Sequence, residues 1–135
     1  MKILLDENVP KQLLEPLDLA LGDHVVHHVE NLGWKTKKDL PLFRDAKVRS
    51  YDVIVTNDKG QLVDEEELKA LRRAGLHYVG YPDAPRGSGR GGWARVLGSV
   101  LGVMPYVIAE LEQAEVLRRI DIGVMDGNRF TSSRL

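Results

Sequence analysis

Two segments of this chain share one design, and that design narrows the folds open to it. Met1-Lys2-Ile3-Leu4-Leu5-Asp6-Glu7-Asn8-Val9-Pro10 opens with a short apolar run and ends it abruptly in acidic and amide side chains. Tyr51-Asp52-Val53-Ile54-Val55-Thr56-Asn57-Asp58-Lys59-Gly60 repeats the pattern. An apolar run of this length reads as a strand buried on both faces, as in a parallel sheet covered by helices. Carboxylates at its end belong at the carboxyl edge of the sheet, in the crevice where open α/β sheets bind ligands. If the two strands are parallel, Asp6 and Asp58 project from the same edge.

The segments between them support this reading. Residues 10–21 place Leu13, Leu14, Leu17, Ala20 and Leu21 at helical spacing, which predicts an amphipathic helix. Pro10 suits its start, Pro16 threatens to kink or split it, and Gly22 ends it. His24 to Val29 reads as a second strand. Asp39 to Val48 reads as a helix with Asp39 as N-cap. Residues 52–57 form the third strand. Asp64 to Ala74 has acids at its start, Arg72-Arg73 at its end and Gly75 beyond, which matches the helix dipole and a glycine C-terminus. Leu76 to Tyr81 reads as a fourth strand. Pro82 to Gly92 reads as an Arg/Gly linker. Trp93 to about Arg118 has a helical pattern, with a break predicted near Gly102 to Pro105. Residues 118–124 read as a last strand, 126–129 as a turn, and 119–135 include a flexible tail. Strand–helix alternation predicts a mainly parallel sheet with right-handed crossovers and helices on both faces. The fold class is therefore α/β, a three-layer α/β/α sandwich, formed by one domain over residues 1–135.

Composition removes several classes of function. The chain has 135 residues, 43% hydrophobic and 29% charged, and a net charge of -1. No overall positive field attracts nucleic acid, although a local patch is allowed. With no cysteine, disulfides, thiolate metal sites and cysteine nucleophiles are excluded, and a cytoplasmic location is compatible. Residues 96–111 are apolar but interrupted by Gly98, Gly102 and Pro105, short of the roughly 20 residues a spanning helix needs. The protein reads as soluble, with no membrane partner.

The remaining candidates have plain structural readings beside functional ones. His24, His27 and His28 suggest a metal site, but neighbouring strand residues point to opposite faces, so His27 and His28 cannot serve one ion. Asp64, Glu65, Glu66 and Glu67 look like a metal cluster but read as a solvated, well-capped helix start. Lys35, Lys37 and Lys38 form a basic loop, either plain solvated surface or a patch for RNA phosphates. Trp34 reads as core packing sooner than as a base-stacking platform. Arg86 and Arg90 could hold phosphates. The Asp6–Asp58 pair is the main chemical candidate. Converging carboxylates repel unless a cation neutralises them. Hard oxygen donors without thiolates favour Mg²⁺ or Mn²⁺.

Lys2 to Pro10, with its apolar strand, Asp-Glu-Asn, aliphatic residue and proline, resembles the opening of short prokaryotic PIN-like domain proteins. Gly22-Asp23-His24-Val25-Val26-His27-His28-Val29, the acidic helix start at Asp39, and Val53-Ile54-Val55-Thr56-Asn57-Asp58 continue the likeness, which is strongest over residues 1–81. The resemblance implies a metal-dependent endoribonuclease, often the toxin of a toxin–antitoxin pair, using Mg²⁺ or Mn²⁺. It implies Asp6, Asp39 and Asp58 as catalytic metal ligands, with Glu7, Asn8 and Asn57 in secondary positions. The expected partners are RNA, a protein antitoxin and a second copy in a homodimer. Two stretches depart from the pattern. Leu40-Pro41-Leu42-Phe43-Arg44 follows Asp39 where further acids are usual, and Lys59-Gly60-Gln61 follows Asp58 in place of an aspartate and an aromatic. A catalytically weak module that binds RNA or a protein stays open as the alternative.

Overall fold

The computed structural model describes residues 1–58, 64–125 and 132–134, with only the backbone at Asp58. Five strands, β1 (Lys2–Leu5), β2 (Val25–His28), β3 (Val53–Asp58), β4 (His77–Pro82) and β5 (Arg119–Asp121), form one sheet in the order β2-β1-β3-β4-β5. Every pairing is parallel. Four α-helices lie between the strands: α1 (Leu14–Leu21), α2 (Asp39–Val48), α3 (Glu65–Ala74) and α4 (Gly89–Gln113). The three-layer α/β/α reading therefore describes the molecule.

Strand alternation sorts the core into two layers. Ile3, Leu5, Val53, Val55, Val79 and Tyr81 pack with α1 and α4 on one face. Leu4, Ile54 and Tyr78 pack with α2 and α3 on the other. Side chains two residues apart share a face, so one strand feeds both cores. This explains the unbroken apolar runs.

Local chemistry adjusts the predicted boundaries. Residues 11–13 form a 3-10 turn that runs into α1, so the helix predicted over 10–21 is split. Pro16 lies in the first turn of α1, where its missing N–H is not needed. Asp39 is the first residue of α2; its N-cap is Lys38, with no side-chain cap. Asp64 caps α3 by accepting from the Glu67 N–H at 2.8 Å, and Gly75 ends it in the left-handed conformation at φ 67°. His28 is fully buried, and its Nδ1 accepts from the Glu30 N–H at 3.1 Å. The ring proton therefore sits on Nε2, which donates to the Val9 carbonyl at 2.7 Å. His27 instead meets the Tyr51 hydroxyl at 2.6 Å. Both histidines are structural.

The predicted break near Gly102 to Pro105 is absent: α4 is one helix of 25 residues with Pro105 inside it. Val96, Val100, Met104, Ile108 and Leu111 are buried along it, and this continuous apolar stripe outweighs the local propensity of glycine and proline. An 18-residue window of α4 has a mean hydropathy of 1.4, so the helix is long and apolar enough to cross a bilayer by length and composition. The residues 96–111 alone understated its length. In this fold it packs against the sheet.

The crossovers are not uniform in hand. From β2 to β3 and from β3 to β4 the chain steps in one direction across α2 and α3. From β4 to β5 it steps in that same direction, but α4 covers the opposite face, beside α1. The step from β1 to β2 runs the other way on the α1 face. Three connections thus share one hand and the last has the other, against the uniform hand predicted. Burial supplies the reason. One face already carries α2 and α3, whereas the other has only the eight residues of α1 to cover Val53, Val55, Val79 and Tyr81.

The Arg/Gly segment is partly turn and partly helix. Gly87 and Gly89 adopt positive φ (80° and 62°). A Cβ on Gly92 would lie 1.8 Å from the Ser88 Oγ, so glycine is needed there for the turn to fold back on the helix. The turn predicted at 126–129 lies outside the described residues, as do Thr131 and Leu135. Ser132, Ser133 and Arg134 are exposed.

Candidate functional site

The strand order reverses between β1 and β3. From β1 the chain first goes outward to β2, then returns across β1 to β3. Such a switch point opens a crevice beyond the carboxyl ends of the two strands. Asp6 follows the last residue of β1 and Asp58 is the last residue of β3.

Asp6 is held firmly. Its backbone N–H donates to the Val55 carbonyl at 2.9 Å, and its own carbonyl accepts from Val9 at 3.0 Å, closing the turn that carries Glu7 and Asn8. Its side chain is only 9% exposed. Oδ1 accepts from the Glu7 N–H at 2.7 Å, and Oδ2 accepts from the Thr56 hydroxyl at 3.0 Å. Each oxygen keeps a second acceptor lone pair. Burial raises the Asp6 pKa above the usual carboxylate value; the two hydrogen bonds oppose this, and the charges of Asp39 and Glu7 add to the rise. A carboxylate desolvated beside another carboxylate is stabilised by a cation.

Asp39 starts α2 and is exposed. Its side chain is hydrogen-bonded to Glu67, which lies in the first turn of α3. Burial, this contact and the charges of Asp39 and Asp64 raise the Glu67 pKa. Asp6, Asp39 and Glu67 thus form a linked set on the α2/α3 side. Glu67 was read from sequence as part of a solvated helix start. One signal distinguished it: α3 follows β3, so its first turn sits at the same sheet edge as Asp6. Within Asp64-Glu65-Glu66-Glu67, position 67 is also three after the cap, where a side chain turns back along the helix start.

The other predicted residues divide. The Asp58 side chain lies outside the described residues. Glu7 and Asn8 are exposed at the crevice. Asn57 lies on the opposite face, where its Nδ2 donates to Asp83 at 2.7 Å. Its Oδ1 and the Tyr81 hydroxyl are buried without a hydrogen-bond partner among the described residues. Asn57 and Tyr81 are register partners on adjacent strands. Burial pushes the Tyr81 phenol well above its usual value, and the charges of Asp83 and Asp6 add to this. Asp83 went unnoticed in the sequence, since a Pro-Asp at a loop start is an ordinary turn signal.

Among the basic candidates, Lys37 is ion-paired to Asp45 and lies over the Trp34 ring. Lys35 faces Glu30 at 3.9 Å. Lys38, Arg86 and Arg90 are exposed. Lys38 directly precedes Asp39, so it stands at the mouth of the crevice.

An all-oxygen donor set, with both strand histidines engaged in the fold, suits a hard divalent cation. Among the described residues, no group of three or more His, Cys, Asp or Glu side chains is placed to hold a metal ion. Asp6 and Asp39 are the described members of the predicted set.

Comparison with known proteins found no match among curated proteins and none among solved structures. A family model described as a PIN like domain matches residues 1–81, from β1 into β4. Switch point, acids and helix order all fall within that span, and the chain belongs to the PIN-like domain family.

Proposed function

We propose that this protein is a metal-dependent endoribonuclease that hydrolyses RNA phosphodiester bonds in the cytoplasm as the toxin of a toxin–antitoxin pair. The observation that carries the reading is Asp6: a buried carboxylate at the switch point, with a raised pKa and Asp39 nearby. Family membership supports nuclease chemistry in general.

Asp6, Asp39 and Asp58 would hold Mg²⁺ or Mn²⁺. The bound ion supplies Lewis-acid polarisation of a phosphoryl oxygen and a more acidic water. The chain's own residues prepare the site. The Thr56 hydroxyl and the Glu7 N–H fix the Asp6 carboxylate and leave each oxygen a further acceptor lone pair. Glu67 positions Asp39. Lys38, Arg86 and Arg90, with Lys35 at the margin, would hold backbone phosphates. Lys37 contributes through the loop it ties to α2.

The test is cleavage of a labelled RNA pool with Mn²⁺, with Mg²⁺ and with EDTA, using wild type and Asp6→Asn. Metal-dependent cleavage lost in Asp6→Asn supports the proposal; activity indifferent to both EDTA and the substitution sinks it. A second reading, a non-catalytic module that binds RNA, an antitoxin or a second copy, is favoured by one observation. Leu40-Pro41-Leu42-Phe43-Arg44 follows Asp39 and Lys59-Gly60-Gln61 follows Asp58, where the family pattern carries further acids and an aromatic. RNA binding without cleavage in any metal would select it.

A further inference from the structure

The α2/α3 layer, whose first turns carry Asp39 and Glu67, has a second feature farther along the two helices that the acid site does not use. Leu40, Phe43, Arg44 and Lys47 of α2 face Glu66, Ala70, Arg73 and Ala74 of α3 across a groove of about 370 Å³. The spacing is i, i+3, i+4, i+7 on α2 and i, i+4, i+7, i+8 on α3, so each helix presents one stripe. Both helices return from the carboxyl edge of the same parallel sheet, and so they run parallel. Alanines on α3 keep the trough open, and Leu40 is 50% exposed above it.

We propose that this groove binds an acidic amphipathic helical segment of a partner protein. Charge complementarity carries the choice of occupant. The rim has three cations, Arg44, Lys47 and Arg73, and one acid, Glu66, which faces Lys69 at 3.6 Å; Arg44 also lies 3.5 Å from the Asp45 carboxylate, which Lys37 holds from the other side. Lys47 donates to the Arg73 carbonyl at 2.7 Å, which holds its ammonium at the rim with its charge intact. An apolar floor flanked by positive charge fits a helix with apolar anchors at i and i+3 or i+4 and Asp or Glu beside them. Single-stranded nucleic acid also seeks cations but needs stacking platforms. The groove's one aromatic, Phe43, is only 6% exposed, so the floor accepts aliphatic side chains and offers no ring face. The inference stands on the groove and is independent of the nuclease reading.

The test is selection of a displayed library of 16-residue helical peptides on the full chain, with counter-selection on Arg44→Glu/Arg73→Glu. The strongest clone is then measured by fluorescence anisotropy against wild type, the charge-reversed variant and Ala70→Phe, which fills the trough. Both variants are first checked for an unchanged circular dichroism spectrum. The expected result is enrichment of acidic peptides with apolar residues at helical spacing, and binding weakened at least tenfold in each variant. Three results would overturn the proposal. They are enriched peptides lacking acids, binding that survives both variants, and displacement of the peptide by a single-stranded RNA oligomer. RNA cleavage assays on the same variants keep this outcome separate from that of the acid site.

Discussion

The carboxyl of Glu67, in the first turn of α3, is hydrogen-bonded to the carboxyl of Asp39, the first residue of α2. A hydrogen bond between two carboxyl groups requires a proton, and the raised Glu67 pKa follows from burial first and from this contact second. A neutral side chain at position 67 keeps the contact without the proton. Glu67→Gln, whose amide N–H donates to Asp39, therefore stabilises the metal-free protein at pH 7 by a few tenths of a kcal/mol, the scale of a partly exposed pair. The sign has a pH signature. A carboxyl whose folded pKa is raised contributes stability that is complete below its unfolded value, 4.5 here, and is lost as pH rises through the folded value. The advantage of the glutamine thus grows from acid to neutral pH. Urea melts of both proteins at several pH values measure it; an equal difference at all pH values would mean that no proton is shared.

Asp6→Asn should separate stability from function. The asparagine Oδ1 still accepts from the Glu7 N–H, and its amide can donate to the Thr56 hydroxyl, which can reverse its role. The desolvated charge beside Asp39 is removed. The metal-free variant should gain about 0.5–2 kcal/mol, as active-site carboxylates often yield when neutralised. Ligand linkage should act in reverse: Mn²⁺ at about 100 times its dissociation constant stabilises wild type by about 2.7 kcal/mol and the variant hardly at all. Thermal melts with and without Mn²⁺ decide this. Equal metal-induced shifts in both proteins would remove Asp6 from the metal site.

Tyr81 is 1% exposed and its hydroxyl has no partner among the described residues. A buried hydroxyl without a partner gives up its hydrogen bonds to water for nothing. Tyr81→Phe should leave stability unchanged or raise it by up to about 1 kcal/mol. A loss above about 1 kcal/mol in chemical denaturation would mean instead that an ordered water joins Tyr81 to Asn57.

The legibility of these features in the sequence varied with the physics behind them. Asp6 could be read because an unbroken apolar run states both strand and burial, and the first acid after it has nowhere to go but the edge. The parallel sheet followed from four such runs alternating with helical patterns. Parity in β3 also separates Thr56, on the side of Asp6, from Asn57 on the other, but only once the strand's register is known. Glu67 was hidden among four neighbouring acids, since the contact that singles it out comes from α2, far along the chain. The hand of the last crossover could not be read at all. It depends on which face of the sheet is left uncovered, a property of the assembled layers.

The continuity of α4 is the sharpest conflict between local preference and tertiary packing, and it can be measured. Pro105 is exposed in the middle of the helix. It has no N–H to donate to the Leu101 carbonyl one turn earlier, and its ring crowds that carbonyl. Its neighbours Met104, Val107 and Ile108 are buried, so the helix persists because breaking it would expose that stripe. Pro105→Ala restores a donor, adds no bulk to the core and removes the crowding. An interior proline costs a helix about 3 kcal/mol relative to alanine, part of which packing has already relieved. The substitution should therefore stabilise the protein by about 1–3 kcal/mol in urea denaturation, with an unchanged m-value. A destabilised variant would mean that the proline shapes α4 to the twist of the sheet. In that case Val107 and Ile108, one turn beyond it, would lose protection from hydrogen exchange before Val96 and Val100.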